Sequence, residues 1–264
     1  LEFGSRYDYT DVDSAAIGNK DNKYVGLTAT IFGIYNVDEN MKYFAGVGKS
    51  SRVPDARELY DATAGNSNLD QTKNYEADLG FDKTIGTFNI RPKLFYSVLK
   101  DYIYNSGTFG NIDAKIYGLD VSGFYFMTDN LSLDYGIAYQ RGKKDENVAD
   151  KDLAEIPPLK ANLALNYEQA KAKYTAEVVA VDRWDSYDIS AKEQELSGYA
   201  LFNLKYTNQL HKNIGLTLGL DNVFDKVYNS TNTYQDITYA TVSSERVLFN
   251  DPGRYGYVNL KYSF

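Results

Sequence analysis

Along most of this chain every second side chain is apolar. In the run from Leu131 to Gln140, the odd positions are Leu131, Leu133, Tyr135, Ile137 and Tyr139 and the even ones Ser132, Asp134, Gly136, Ala138 and Gln140. A period of two places such sets on opposite faces of a β-strand. Leu159, Ala161, Leu163, Leu165 and Tyr167 alternate in the same way with Lys160, Asn162, Ala164 and Asn166. So do Ile214, Leu216, Leu218 and Leu220 with Gly215, Thr217, Gly219 and Asp221. Twelve strands are predicted, near 1–9, 24–37, 41–50, 74–84, 87–101, 113–127, 131–142, 159–169, 171–183, 198–209, 213–223 and 254–264. Each has about the 9–11 residues that cross a bilayer core at a tilt. No helical period competes, so the chain is all-β.

Alternation alone leaves two architectures open. A soluble antiparallel sheet would bury the apolar face against another layer and wet the polar one. A transmembrane barrel would turn the apolar face into lipid and enclose the polar one. Charges such as Glu76, Asp78, Arg91, Lys93, Asp134, Lys160 and Lys205 recur on the polar face and suit either. The absence of any run near 18 apolar residues excludes a helical membrane protein. A mean hydropathy of -0.47 is no obstacle to a barrel, whose strands hide only alternate side chains in lipid. The 25 tyrosines suit an interfacial aromatic girdle.

The connections favour the barrel. Short turns at 38–40, 84–86, 128–130, 168–170 and 210–212 alternate with long loops near 10–23, 51–73, 102–112, 143–158, 184–197 and 224–253. Outer-membrane barrels keep short turns on the periplasmic rim and long loops on the other, a separation that a Greek-key sandwich has no reason to make. The chain also ends on an alternating apolar row, Val258, Leu260, Tyr262 and Phe264, where a soluble domain tends to fray.

One stretch is more specific. Ser51, Arg52, Pro54, Glu58, Leu59 and Tyr60 are followed by Asn66, Leu69 and a strand carrying Glu76. Further on come Asp221, Asn222, Val223, Phe224, Asp225, Lys226 and Tyr228, then Pro252, Gly253 and Arg254 before the last strand. In this order and spacing they resemble the barrel signatures of TonB-dependent outer-membrane receptors. The resemblance implies an antiparallel transmembrane β-barrel of roughly 22 strands with a plugged lumen, of which these 264 residues would be the last twelve strands. The plug domain, the TonB-contact segment and the preceding strands would lie outside this chain, with Leu1 a truncation point inside a strand. It further implies a Gram-negative outer-membrane protein that binds and imports a metal chelate, a ferric siderophore above all, using TonB-relayed energy. Copper, haem and cobalamin are alternative cargoes within the family. Implied partners are the TonB complex through the plug, outer-membrane lipid, and the barrel-assembly machinery, which would read Val258, Leu260, Tyr262 and Phe264.

Residue chemistry favours binding over catalysis. The chain has no cysteine, and its single histidine, His211, falls in a short turn among Leu210 and Lys212. No phosphate loop opens a helix, so neither an enzyme nor a resident cofactor is expected. A net charge of -8 argues against nucleic acid. The long loops carry aromatic plates and charges suited to orienting a large ligand, and anionic chelates suit arginines. The candidate ligand contacts are Arg52, Arg57, Tyr60, Tyr104, Arg183, Trp184, Tyr187 and Tyr234, with Tyr102, Phe109, Tyr239 and Arg246 in the same loops. Leu153 to Leu159 resembles a motif of several metal-chelate receptors, including those for copper. Copper would favour methionine and histidine, and Met41, Met127 and His211 all lie by the short turns. The rival reading is a self-contained twelve-stranded pore or barrel enzyme, which would pair the first strand with the last. A soluble β-rich binding module is the third.

Overall fold

A computed structural model of the 264-residue chain describes residues 1–13, 21–232, 248 and 250–264. Twelve strands form one antiparallel sheet: β1 (Glu2–Val12), β2 (Asn22–Asp38), β3 (Met41–Arg52), β4 (Thr72–Ile85), β5 (Phe88–Asn105), β6 (Phe109–Phe126), β7 (Leu131–Lys144), β8 (Lys160–Gln169), β9 (Ala172–Val181), β10 (Tyr199–His211), β11 (Ile214–Asp221) and β12 (Tyr255–Tyr262). Their spatial order is their sequence order. The only helical segments among the described residues are α1 (Ala56–Tyr60) and a single 3₁₀ turn at Ile189–Ala191. All twelve expected strands are present. β1 bonds only to β2 and β12 only to β11, so the ladder does not close on itself as the small-barrel reading requires.

Register fixes which side chains share a face. Leu133 stands between Leu165 on β8 and Tyr125 on β6, and Leu163 between Tyr135 and Val178, so apolar rows run across neighbouring strands. Among the described residues no second layer covers them: Leu163 is 47% exposed, Leu260 67% and Tyr262 62%. A one-sided sheet with an uncovered apolar face matches a wall whose other solvent is hydrocarbon. The opposite face binds itself together through polar cross-strand pairs. Lys93 meets Asp78 at 2.8 Å and Lys42 meets Asp82 at 3.3 Å, while Asn166 donates to Asp134 at 2.8 Å.

The β4–β5 turn uses Gly86 at φ +59°, with open space where a Cβ would sit. There the value of glycine lies in the left-handed backbone of a two-residue hairpin. Gly123 serves close approach instead. The Tyr135 ring lies over it and its hydroxyl donates to the Asn89 carbonyl at 2.8 Å, so a Cβ at 123 would lie 2.5 Å from that hydroxyl.

One expectation is corrected. Residues 102–112 are not a long loop; β5 and β6 run on as an 18-residue pair joined by only three residues, 106–108. A bulge intervenes, with a register shift between Leu99 and Tyr102 and Asp101 at φ +54°. It breaks the period-two signal while the ladder continues above it. The other five long connections, including those that pass through residues outside the description, alternate with turns of two to four residues.

Arginine facing hydrocarbon at mid-depth costs about 2–4 kcal/mol. Leu163→Arg should therefore sharply reduce refolding into lipid vesicles, measured by heat-dependent gel mobility, whereas Asn162→Lys on the other face should refold normally.

Candidate ligand-binding site

The long-loop rim is where this sheet acquires a packed interior. Beyond β3, Pro54 ends the strand and Asp55 caps α1. The Asp55 carboxylate accepts from the Glu58 N–H at 2.8 Å, and Glu58 accepts from the Asp55 N–H at 2.8 Å. This is a capping box, which satisfies two orphan donors reciprocally. The Glu58 carboxylate also receives both terminal nitrogens of Arg52, at 2.9 and 2.8 Å, the strongest ion-pair geometry available to it. One buried carboxylate thus holds the strand end, the cap and the arginine together. Leu59 then packs with Tyr24, Leu69 and Ile103. Asp61 closes the next turn by accepting from the Thr63 hydroxyl and from the N–H groups of Thr63 and Ala64. The Thr63 hydroxyl contributes most to holding the Asp61 pKa down at about 2. The loop is clamped to the long hairpin by Phe109 N–H donating to Ala64 O at 2.8 Å and Asn66 donating to Phe109 O at 3.1 Å.

The hairpin's second flank holds Leu99, Tyr104 and Ala114 against Leu153, Ala154 and Ile156 of the β7–β8 loop. Above them lies a buried ionic node. Lys144 Nζ is 2.6 Å from Asp188 Oδ2, with the two side chains 8% and 0% exposed. Tyr104 donates its hydroxyl to the same carboxylate and accepts from the Ala154 N–H at 3.0 Å. Asp188 also accepts from the N–H and hydroxyl of Ser190, at 2.9 and 2.7 Å. Glu193 accepts from the Asp188 N–H at 2.8 Å and the Glu155 N–H at 2.7 Å. The strands β5 and β7 and the β7–β8 and β9–β10 connections therefore meet at two buried carboxylates. For Asp188, burial pushes the pKa up, but the bonds from Lys144, Tyr104 and Ser190 outweigh it and the net direction is down. For Glu193 burial wins and the pKa rises.

Between the two clamped flanks opens a cavity of about 670 Å³. Arg52, Arg57 and Glu58 line one side, Tyr102, Tyr104 and Phe109 the hairpin side, and Glu155, Ser190, Ala191 and Lys192 the far side. Arg52 is committed to Glu58. The exposed guanidinium of Arg57 makes no ion pair among the described residues. The site therefore offers aromatic faces and a guanidinium with open donors to a sizeable anionic guest. Among the described residues no group of three histidines, cysteines, aspartates or glutamates is placed to hold a metal.

Of the residues singled out from the sequence, Arg52, Arg57 and Tyr104 meet in this cavity, joined by Tyr102 and Phe109. Tyr60 leans on the Leu59–Ile103 cluster. Trp184 is buried in a bridge with Leu196, Arg183 pairs with Asp185 and Glu195 at 3.5 and 3.4 Å, and half-buried Tyr187 lies off the cavity wall. Tyr234, with Tyr239 and Arg246, falls outside the described residues. Lys192 and Glu155 were not foreseen as wall residues. Both have left-handed backbones, at φ +67° and +62°, which the sequence gives no means to place.

A family model described as TonB dependent receptor-like, beta-barrel matches residues 1–223. The chain is 26% identical over 235 residues to the Vitamin B12 transporter BtuB of Photobacterium profundum, covering 83% of this chain and 38% of that protein. It is also 26% identical over 259 residues to the TonB-dependent heme receptor A of Haemophilus influenzae, covering 78% of this chain and 34% of the relative. In fold it superposes on the Copper transporter OprC with a TM-score of 0.81 at 23% identity, over 92% of this chain and 40% of that one. The FrpB iron transporter from Neisseria meningitidis gives 0.75 at 17%, over 99% and 42%. The chain thus spans between 34% and 42% of the length of these relatives.

Removing one partner of a buried ion pair costs about 3–5 kcal/mol. Asp188→Asn should therefore raise amide exchange across 145–159 and 182–198. Because the native pKa of Asp188 is depressed, its contribution is complete above about pH 4 and is lost as pH falls through the lower native value. In the wild type, this part of the acid-induced rise in exchange should begin below pH 4, and Asp188→Asn should abolish it.

Proposed function

We propose that this chain, which belongs to the TonB-dependent receptor β-barrel family, is the C-terminal part of the barrel domain of an outer-membrane receptor that captures an anionic metal chelate, a ferric siderophore, and imports it. The observation that carries this reading is the 670 Å³ cavity, which Arg57, in no ion pair among the described residues, lines together with Tyr102, Tyr104 and Phe109. Aromatic faces supply contact area, and a guanidinium supplies oriented, charge-assisted bonds to oxyanions. Tight capture needs an energy input for release. TonB relays that energy through a plug in this reading. In this reading Val258, Leu260, Tyr262 and Phe264, uncovered at the end of β12, serve barrel assembly, and the apolar face meets outer-membrane lipid.

The relatives' names span vitamin B12, haem, copper and iron. This chain favours a cargo recognised through its anionic groups. Its two methionines and one histidine stand at the short-turn rim, at the start of β3, in the β6–β7 turn and at the end of β10. Soft or imidazole ligation of copper from the loop side therefore has no donor here.

A hydrogen bond to a charged group is worth about 1.5–3 kcal/mol. In the full-length receptor, Arg57→Ala should weaken ferric-siderophore binding by roughly tenfold to hundredfold, measured by calorimetry, with the barrel still folded. In a deletion strain, the gene should restore growth on a ferric siderophore. Rescue only by haem, cobalamin or copper would overturn the cargo assignment.

A further inference from the structure

We propose that the loop cavity selects, among metal chelates, for one that carries an ammonium group on its periphery, and that Glu155 is the residue that reads it. The proposal rests on this cavity being the cargo site, as proposed above, and adds what the cargo must carry.

Glu155 sits in the stretch Leu153 to Leu159, where its neighbours are anchors. Leu153, Ala154 and Ile156 are buried with Leu99, Tyr104 and Ala114, whereas Glu155 between them is exposed and lines the cavity. Three consecutive N–H groups have fixed acceptors. Leu153 donates to the Gly142 carbonyl at 3.2 Å, Ala154 to the Tyr104 hydroxyl at 3.0 Å and Glu155 to the Glu193 carboxylate at 2.7 Å. This backbone holds Glu155 at φ +62°, a left-handed conformation that glycine adopts without steric cost. A non-glycine residue persists there only where its surroundings over-determine it, and such residues collect at ligand sites. The Glu155 carboxylate takes part in no ion pair among the described residues.

The charges around it decide what it suits. Arg52 and Glu58 neutralise each other through two bonds. That leaves Arg57 and Glu155 lining the cavity as unpaired charges of opposite sign, with Lys192 a further cation in the wall. Tyr102, also in the wall, has its pKa raised by burial first and then by the Glu155 charge. The carboxylate therefore acts within the cavity and not only on bulk solvent. A guest with anionic groups alone would desolvate Glu155 without pairing it, and a desolvated charge without a partner is costly. Glutamine at this position would serve that guest better. An ammonium on the guest pairs with Glu155 while the guest's oxyanions bond Arg57, so both charges are satisfied together. The same carboxylate disfavours chelates that lack the ammonium, which is specificity by repulsion.

The test is calorimetry on the full-length receptor with two ferric tris-catecholates, one bearing a primary-amine arm and the other the same arm N-acetylated. Acetylation removes the charge and leaves the chelate core unchanged. The wild type should bind the amine-bearing chelate about tenfold more tightly. Glu155→Gln should erase that preference without weakening the acetylated chelate. Glu155→Gly, which suits the left-handed backbone, should erase it too, with amide exchange across 150–159 no faster than in the wild type. Arg57→Ala should weaken both chelates alike. Equal affinity of the wild type for the two chelates, a preference that survives Glu155→Gln, or loss of both chelates in that variant would overturn the ammonium reading while capture stands. Binding of neither chelate by the wild type would overturn the siderophore site itself, and this inference with it.

Discussion

Hydrocarbon offers no hydrogen bonds, so a chain that crosses it must pair every backbone N–H and C=O within itself. That constraint accounts for the simplicity of this sheet. Twelve strands lie side by side in chain order, each held by its neighbours in sequence. Once the ladder is set, the pleat sends alternate side chains to opposite faces. The uncovered rows through Leu133, Leu163 and Leu260 are what hydrocarbon tolerates, and the cross-strand pairs such as Lys93–Asp78 are what it would not. The wall therefore has no hydrophobic core of its own. On the proposed reading its exposed apolar side chains meet lipid, which takes over the burial that stabilises a soluble domain.

Conventional packing reappears only at the rim of the long loops, and it is built around charge. Glu58 binds Arg52 through both oxygens while closing a capping box, and Asp188 gathers Lys144, Tyr104 and Ser190. Such groups cost several kcal/mol to bury and recover it only when their bonding is complete. Both are, and each ties loop to strand at a defined angle. The long β5–β6 hairpin stands between the two clusters, so its aromatic residues Tyr102 and Tyr104 line the same cavity as Arg57 from a fixed support. Preorganisation of this kind lowers the ordering cost of binding.

The strands were legible because a two-residue period survives wherever one face must stay apolar. The same signal failed at Asp101, where a bulge adds a residue, reverses the phase and disguises the continuing ladder as a polar loop. At the rim, Arg52, Arg57 and Tyr104 could be picked out as cations and rings in loop sequence, and Arg52 to Glu58 is a local contact. The Lys144–Asp188 pair could not, since its members are far apart in the chain and each resembles any solvated charge. Nor does sequence separate an aromatic that lines a cavity from one that packs a loop, which is why Trp184, in its bridge with Leu196, looked the same as Tyr104.

These 264 residues contain no cysteine, so within them each introduced cysteine is a single labelling site. Spin labels placed one at a time from Leu131 to Gln140 in the full-length receptor, reconstituted in vesicles, report which face meets lipid through their accessibility to oxygen and to a water-soluble nickel chelate. The account predicts a two-residue oscillation, with oxygen accessibility highest at Leu131, Leu133, Tyr135, Ile137 and Tyr139 and nickel accessibility highest at the positions between. Oscillation in the opposite phase, or none, would contradict it.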